Sequence, residues 1–439
     1  MAGAMPAPGS ARRVAVVGGG WAGIAATVAA VERGLRVTLL EMAPQLGGRA
    51  RSVQREGQTL DNGQHILIGA YTETLALMRT LGVDVESALR RLPLALRYPD
   101  GSGLSLPPGP PLPAFLRGVL AFDGWGWRDR LALLREAMRW AAMGFRCDPA
   151  WTVARLCQHL TPPVRAQLIE PLCIAALNTA AAEASASVFL RVLRDALFTG
   201  HGSADLLLPR RGLDALLPTP AGRWFAARGV ELRLGCRVGN LQASGPGWQL
   251  DGERFDAAVL ACSAAEAARL TAAIDPGWSA VAAGLRYEPI VTVYLRCPGA
   301  RLPLPMMALR DSASAPAQFA FDLGALDTGI GGAIDERSGL FAFVVSGARD
   351  WVEAGLEATT EATLRQAQAA FPAGTWPTPP TPVQALAEKR ATFRCTPGLL
   401  RPQTAIAPGL MAAGDFVAGP YPATLEGAVR SGRAAARFV

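Results

Sequence analysis

The stretch at residues 14–41 constrains the fold of this sequence more than any other. An apolar run of strand length is followed by a glycine cluster, an alanine-rich helical pattern and a second apolar run that ends in Glu41. This order predicts a strand, a tight turn, a helix and a second strand, with a GxGxxG pattern at Gly18, Gly20 and Gly23. The glycines would allow the turn, the approach of backbone to a pyrophosphate and the close packing of helix on strand.

Two further features of this stretch predict a bound dinucleotide. The helix begins at Trp21 and Ala22, so its free N–H groups and the positive end of its dipole would face the phosphates. Glu41, followed by Met42, lies eighteen residues after Gly23 at the end of the second strand. A carboxylate there can bind a ribose 2′-hydroxyl and repels a 2′-phosphate. The alternative is a glycine-rich turn without a ligand.

Composition narrows the class of protein. The chain has 439 residues, and because single cores stop growing at roughly 250–300 residues we expect two lobes. No window approaches the roughly 18 uncharged apolar residues of a membrane-spanning helix, and the start of the chain lacks the apolar region of a signal peptide. The seven cysteines contain no CxxC pair, which favours a reducing cytoplasm over a disulfide framework or a metal site. The net charge of +7 is accompanied by no nucleic-acid motif, so we expect no nucleic-acid partner.

The segment after the second strand carries further candidate cofactor ligands. Gly47, Gly48 and Arg49 form a loop whose backbone and guanidinium group could reach phosphate, and the alternative is a surface loop with a stray arginine. Gln64 and His65 follow a glycine turn directly and precede an apolar run. The imidazole could therefore face the ligand or could simply be structural.

Two carboxylates are further candidates for chemistry. Asp61 begins the Asp-Asn-Gly turn, where an Asx turn is the simpler interpretation. Asp195 interrupts the mostly apolar segment at residues 171–209. It is either a satisfied structural group or a polar tip in an apolar tunnel.

The end of the chain repeats the logic of its beginning. An apolar strand ends in Gly414 and Asp415, and a loop then opens a final helix. Asp415 could bind a ribitol hydroxyl, and the positive helix end at Thr424 and Leu425 could stabilise negative charge on the N1–C2=O edge of a flavin. The backbone N–H of Val238, after another predicted strand, could bind an adenine. Both ends of the chain would then converge on one cofactor.

A proline-rich piece precedes a helical pattern at residues 128–145. On that helix Leu131, Leu134 and Met138 share an apolar face that is flanked by arginines and tryptophans. Such a face could lie in a membrane interface. The alternative is a helix packed on its own domain.

Together these patterns predict an α/β fold with three parts. A Rossmann-like FAD-binding domain would be assembled from discontinuous N- and C-terminal segments, beside a mixed-sheet substrate domain and an inserted helical lobe. The predicted segments are 1–90, 209–285 and 395–439 for the FAD-binding domain, 91–208 for the helical insert and 286–394 for the substrate-binding domain.

Several blocks of the sequence resemble a known family. Residues 18–52 and 414–436 resemble the flavin-dependent amine oxidase and phytoene desaturase superfamily. Residues 60–82, 170–195 and 203–216 are similar to the hydroxysqualene dehydroxylases, also called squalene-associated FAD-dependent desaturases, of bacterial hopanoid synthesis. The resemblance implies FAD as the cofactor. It also implies reduction of hydroxysqualene, an apolar C30 allylic alcohol, to squalene with loss of water.

That reaction would need an acid, because hydroxide is a poor leaving group. The candidates for the proton donor are His65, then Asp61, then Asp195. No second GxGxxG pattern is present for a nicotinamide, so electrons would come from the substrate side or from a separate donor. We expect a cytoplasmic protein with possible peripheral contact at the inner membrane face.

The motifs leave three other interpretations open. An FAD-dependent polyprenoid desaturase of the phytoene type would use the same flavin in the opposite direction. An amine oxidase would need paired aromatic residues near the flavin, and Tyr421 is the obvious one in the terminal motif. A flavin-dependent scaffold at a membrane would have no catalytic activity of its own.

Overall fold

Strands and helices alternate along much of the chain in the computed structural model, which describes residues 11–55, 57–326 and 337–439. The strands of this described part are β1 (Arg13–Val17), β2 (Arg36–Glu41), β3 (Ser52–Arg55), β4 (Gln58–Asp61), β5 (Leu67–Ile68), β6 (Leu89–Leu92), β7 (Ala95–Arg97), β8 (Gly103–Ser105), β9 (Leu206–Pro209), β10 (Glu231–Leu234), β11 (Leu241–Ser244), β12 (Gly247–Leu250), β13 (Glu253–Phe255), β14 (Ala257–Leu260), β15 (Tyr287–Arg296), β16 (Met306–Ala308), β17 (Phe319–Asp322), β18 (Leu340–Val345), β19 (Thr381–Phe393), β20 (Ala405–Ala407) and β21 (Leu410–Ala412).

The helices of the same described part include two short turns of other types. A π-helical turn (Arg165–Ile169) joins α7 to α8, and a 3₁₀ turn (Ala436–Phe438) follows α17. The α-helices are α1 (Trp21–Glu32), α2 (Thr72–Thr80), α3 (Val85–Ala88), α4 (Pro111–Leu120), α5 (Trp127–Ala142), α6 (Val153–Leu156), α7 (Pro162–Val164), α8 (Glu170–Leu177), α9 (Ala186–Phe198), α10 (Leu213–Leu216), α11 (Pro218–Ala227), α12 (Ala264–Thr271), α13 (Pro276–Ala283), α14 (Leu323–Leu326), α15 (Arg349–Ala354), α16 (Leu356–Ala370) and α17 (Leu425–Ala435).

The first sheet contains the strand, turn, helix and strand predicted at residues 14–41. Its strand order is β10-β2-β1-β14-β21-β20, and neighbours are parallel except for β20 beside β21. Val14 and Val16 of β1 and Val259 of β14 are fully buried, as expected for strands that are covered on both faces. The predicted α/β fold class is confirmed, and the last parallel strand of this sheet comes from the end of the chain.

Helix α1 is clamped between the sheet and the last helix by two glycines. A Cβ at Gly23 would lie 1.8 Å from the Gly18 carbonyl oxygen, so glycine is required where α1 meets the turn after β1. A Cβ at Gly432 would lie 2.1 Å from the Ala22 carbonyl oxygen, so glycine is also required where α17 crosses α1. The first and last helices of the chain are therefore in direct backbone contact.

The second sheet has the order β16-β17-β18-β15-β19. All five strands lie within residues 286–394, the predicted substrate-binding segment. The sequence predicts strands of mixed direction, and β18 and β19 do run the same way on either side of β15. Each neighbouring pair is nevertheless antiparallel. The apolar pattern of a strand reports its burial and not its direction, which is why the pairing could not be predicted.

The region between β8 and β9 is mostly helical. The helix predicted at residues 128–145 is α5, and α9 follows the π-helical turn and α8. A small sheet, β5-β9-β6, joins the two ends of this region to the rest of the chain. Across the described residues, no helix is long and apolar enough to span a bilayer. The division of the chain into three segments remains a prediction.

We expect Gly432→Ala to lower the free energy of unfolding by about 1–3 kcal/mol, because the new Cβ would collide with the Ala22 carbonyl. Alanine otherwise favours an α-helix over glycine by up to about 1 kcal/mol, so the sign of the change is diagnostic. The matched control is Gly222→Ala in α11, where, apart from the neighbouring residues and the backbone of its own helix, no described atom lies within 4 Å of the Cβ position. Chemical denaturation measures both variants, and a Gly432→Ala protein as stable as the control would contradict the packing described here.

Candidate functional site

One large cavity of about 1410 Å³ runs from the glycine turns of the first sheet to the helical region. Every predicted site residue except Gly23 and Asp61 lines it. The predicted cofactor-binding residues in its wall are Gly18, Gly20, Trp21, Ala22, Glu41, Met42, Gly47, Gly48, Arg49, Gln64, His65, Val238, Gly414, Asp415, Thr424 and Leu425.

The nucleotide end of the cavity is built around the Glu41 carboxylate. Glu41 is buried at the end of β2, where it accepts hydrogen bonds from the Gly19 N–H at 2.5 Å and the Ala43 N–H at 2.7 Å. Gly20 forms a bridge to Gly47, which brings the second glycine loop beside the first. This turn leaves a cavity wall of bare backbone next to the N-terminus of α1, which suits a pyrophosphate.

Arg49 and Asp415 contact each other directly. An Arg49 Nη atom lies 2.5 Å from Asp415 Oδ1, and the guanidinium group also donates to the Ala391 carbonyl at 2.7 Å. The sequence predicts a phosphate ligand for the arginine and a ribitol hydroxyl for the carboxylate, and both ligands remain predictions. In this structure the two residues tie the second glycine loop to the end of the chain and to β19.

The terminal loop and α17 form the opposite wall. Thr424 caps α17 by accepting the Gly427 N–H at 3.0 Å, so the helix starts within two residues of its predicted position. Two residues that the sequence analysis missed hold this segment in place. Fully buried Glu426 accepts from the Thr74 N–H at 2.9 Å and the Thr74 hydroxyl at 2.7 Å, which joins α17 to α2. Arg401 donates to backbone carbonyls of the loop that carries Asp415 and Tyr421.

The two ring nitrogens of His65 have different surroundings: Nδ1 is hydrogen-bonded, and Nε2 has no hydrogen-bond partner among the described residues. Nδ1 lies 3.0 Å from the Gly63 carbonyl oxygen, and since a carbonyl only accepts, Nδ1 carries a proton. Burial lowers the pKa of the imidazole below its ordinary value, against the opposing effect of the Gly63 hydrogen bond. The ring is therefore neutral near pH 7, with an unprotonated Nε2. The adjacent Gln64 donates to the Tyr294 hydroxyl at 3.0 Å.

Asp61 lies behind the cavity wall. Its Oδ1 accepts from the Ser52 hydroxyl at 2.8 Å and from the Leu213 N–H at 2.9 Å, and Arg337 lies 3.7 Å from its Oδ2. Its backbone carbonyl accepts from the Tyr294 hydroxyl at 2.8 Å. These partners join the β3–β4 hairpin to the start of α10 and to β15, so the carboxylate of Asp61 makes structural contacts.

Asp195 belongs to a polar group that includes a residue the sequence analysis did not single out, Arg191. On α9, Arg191 Nε lies 2.9 Å from both Asp195 oxygens, and an Arg191 Nη donates to the Tyr421 hydroxyl at 3.3 Å. Burial, followed by the negative charge of Asp195, raises the pKa of the Tyr421 hydroxyl. Arg191 and Arg430 both lie over the Tyr421 ring, 5.1 and 5.4 Å from its centroid. The i, i+4 spacing of Arg191 and Asp195 is the sequence signal that could have revealed this pair.

Around this polar group the cavity wall is apolar. The other cavity-lining residues of α9 include Phe189, Val192, Leu193 and Ala196, and the facing strands contribute Ile290 and Phe319. Such a wall fits a long hydrocarbon and excludes water from its surface. The cavity thus combines an end lined by glycine loops, two separate polar groups and an apolar remainder.

Comparisons with known proteins agree with this geometry. Residues 21–439 match the family model for flavin containing amine oxidoreductase. A hydroxysqualene dehydroxylase from Rhodopseudomonas palustris is 31% identical over 98% of both chains. A second hydroxysqualene dehydroxylase, from Sinorhizobium fredii, is 28% identical over 97% of both chains. The crystal structure of an oxidoreductase from Methanosarcina mazei has a similar fold, with a TM-score of 0.73 at 15% identity, and covers 96% of this chain and 99% of its own.

We expect Asp61→Asn to lower the free energy of unfolding by about 1–3 kcal/mol, because the change disturbs buried hydrogen bonds to Ser52 and Leu213. Turnover should fall far less than the ~100-fold expected on removing a general acid. Asp350→Asn on the exposed surface is the control and should change stability by less than about 0.5 kcal/mol. Unchanged stability together with a large loss of turnover would instead make Asp61 catalytic.

Proposed function

Because the chain belongs to the flavin-containing amine oxidoreductase family, we propose that it is an FAD-dependent hydroxysqualene dehydroxylase that reduces an allylic C30 alcohol to squalene with loss of water. The observation that carries this proposal is the single cavity, which joins a nucleotide-binding end to a hydrocarbon-lined region that contains isolated polar groups. Its two full-length relatives, described as hydroxysqualene dehydroxylases, support the same reaction.

The residues at the nucleotide end fit FAD better than a mononucleotide. Glu41 at the end of β2 can exchange its backbone partners for a ribose hydroxyl, the Gly18–Gly20 turn can take the pyrophosphate, and Val238 can face the adenine. Helix α17 is eleven residues long. Its N-terminus would lie beside the flavin ring system and favour negative charge there. When bound in its reduced form, the flavin supplies the hydride that the reaction requires.

Loss of the hydroxyl group demands a proton and protection from water. The net reaction, R–OH + 2 e⁻ + 2 H⁺ → R–H + H₂O, consumes two electrons from a separate reductant and releases the oxygen as water. A proton delivered to the departing oxygen replaces hydroxide by a better leaving group. The apolar wall then shelters the electron-poor allylic carbon from attack by solvent. We assign the proton delivery to the protonated form of the His65 imidazole, the minor form near pH 7, which would donate from Nε2 because Nδ1 is hydrogen-bonded to the Gly63 carbonyl.

The second polar group, formed by Arg191, Asp195 and Tyr421, suits recognition of an alcohol oxygen. Asp195 and Tyr421 line the cavity beside apolar residues of α9, and Arg191, which lies outside the wall, donates to both of them. The Tyr421 hydroxyl thus keeps its own proton to donate, and Arg191 supplies further donor groups beside it. A pure hydrocarbon would gain nothing from these donors, which favours an alcohol substrate over a phytoene-type substrate. The two guanidinium groups over the Tyr421 ring would repel a protonated amine, which argues against an amine oxidase.

A substrate of this kind partitions into bilayers, so peripheral contact with the inner face of a cytoplasmic membrane forms part of the proposal. An enzyme that takes a C30 alcohol from a bilayer needs an apolar route from the lipid to its cavity.

We expect the anaerobically reduced protein to convert hydroxysqualene to squalene in a single turnover. The flavin should be oxidised at the same time, which is measured as the return of the absorbance of oxidised flavin. Squalene is measured by gas chromatography, and the oxidised protein with the same alcohol is the control. A polyprenoid desaturase would leave the alcohol unchanged when reduced and would dehydrogenate a hydrocarbon when oxidised, and that pattern would overturn the proposal.

We expect His65→Ala to retain its flavin and to lose turnover by ~100-fold or more, because removal of a general acid has this order of effect. In the wild type, turnover should fall as pH rises through the lowered pKa of His65, since the protonated imidazole is the donor. His159→Ala, on an exposed histidine outside the cavity wall, is the control. A flat wild-type profile below pH ~6.5 would eliminate His65 as the acid.

A further inference from the structure

Exposed apolar side chains are concentrated on two helices of the described chain. Of the twelve large apolar residues with substantial exposure, six lie between residues 112 and 138. On α4 these are Leu112, Leu116 and Leu120, and on α5 and its start they are Trp127, Leu131 and Met138. Monomeric proteins rarely expose so many large apolar groups together without a partner.

The spacing of these residues makes them one continuous face. The leucines of α4 are separated by four residues each and share one side of that helix. On α5, Trp127, Leu131 and Met138 follow the same helical periodicity, with exposed Arg135 between them. Helices α4 and α5 are in contact, and residues of both stripes line the same cavity, which places the stripes side by side at it. We call this surface the α4–α5 face.

The α4–α5 face surrounds an opening of the cavity. Leu112, Leu116, Leu131 and Met138 line the cavity wall and are also 42–67% exposed to solvent. A side chain that does both lies at the mouth of the cavity. The apolar interior is therefore continuous with the exposed apolar surface at these four positions, and exposed Arg135 also lines the cavity there.

The charge around this surface selects one kind of partner. Residues 111–146 contain six arginines and three acidic residues, and two of the acids are engaged locally: Asp129 caps α5 at Gly126 and buried Glu136 pairs with Arg139. Arg117, Arg128 and Arg135 are exposed beside the apolar side chains. Apolar groups inside a cationic border match the acyl chains and anionic headgroups of a bilayer surface.

We propose that the α4–α5 face docks on an anionic membrane and that the cavity opens into the lipid at this point. The proposal rests on the apolar substrate proposed above and names the surface through which that substrate arrives. The substrate would pass from the acyl region between α4 and α5 into the apolar part of the cavity without crossing water. An amphipathic face without a spanning helix agrees with contact that lies on the membrane surface.

The test uses the flavin-loaded full chain and vesicles of roughly one part phosphatidylglycerol to three parts phosphatidylcholine, with pure phosphatidylcholine vesicles for comparison. We expect the wild type to sediment with the anionic vesicles and to bind the neutral vesicles at least ~10-fold more weakly. Leu120→Ser/Trp127→Ser removes two exposed residues that do not line the cavity, and should weaken binding to anionic vesicles by ~10-fold or more. Arg117→Gln/Arg128→Gln should weaken binding to anionic vesicles only.

Leu400→Ser is the matched control, because Leu400 is 77% exposed and lies outside the α4–α5 face. It should bind vesicles as the wild type does, and circular dichroism and flavin content check the folding of every variant. The Leu120→Ser/Trp127→Ser protein should keep its turnover on detergent-solubilised alcohol and lose turnover on alcohol embedded in vesicles.

Failure of this proposal is separable from failure of the proposed reaction, because sedimentation requires no turnover. A wild type that does not bind anionic vesicles, or a double variant that binds them as well as the wild type, would overturn the docking surface. A concentration-dependent dimer that Leu120→Ser/Trp127→Ser abolishes would also overturn it, because a second copy of the chain would then cover this face.

Discussion

The backbone contact between the first and last helices is the constraint on which the rest of this structure depends. Helices α1 and α17 can cross this closely only because residue 432 is a glycine. A Cβ at Gly432 would lie 2.1 Å from the Ala22 carbonyl oxygen. This crossing brings the N-termini of both helices to one cavity. The Arg49–Asp415 ion pair, between residues 366 apart in sequence, adds a second connection at the same place. A cofactor held here would be held by both ends of the chain at once.

The middle of the chain lines its part of the cavity mainly with apolar side chains. The few polar groups in that part therefore indicate what kind of substrate it binds. Asp195 and Tyr421 line the cavity, and Arg191, whose side chain is 36% exposed and lies outside the wall, contacts both of them. A cavity that bound only hydrocarbon would be better served by apolar residues at these positions. Retention of the pair beside the Tyr421 hydroxyl is understandable if an oxygen atom of the substrate must be recognised there. The apolar remainder, which adjoins the α4–α5 face, would accommodate the length of the proposed C30 substrate.

The role of a residue could be predicted from the sequence when it depends on neighbouring residues in the chain. It could not be predicted when it depends on a distant partner. Gly18, Glu41 and Thr424 act at the ends of strands and helices, so their positions in the cavity wall were predictable from local patterns. The roles of Asp61 and Glu426 depend on partners at Leu213 and Thr74, 152 and 352 residues away, and no local pattern encodes such contacts. The same holds for Arg49, whose glycine loop was predictable and whose partner Asp415 was not. Strand direction in the second sheet escaped prediction because burial patterns are the same in both directions.

The site that the two ends of this chain form is proposed above to hold a flavin dinucleotide. The most direct measurement of its occupancy is chromatography of the cofactor released from purified, denatured protein, with quantitation against protein concentration. We expect FAD in a ratio approaching one per chain, and restoration of that ratio when the stripped protein is incubated with FAD. Release of FMN, or a protein that takes up no FAD while correctly folded, would contradict it.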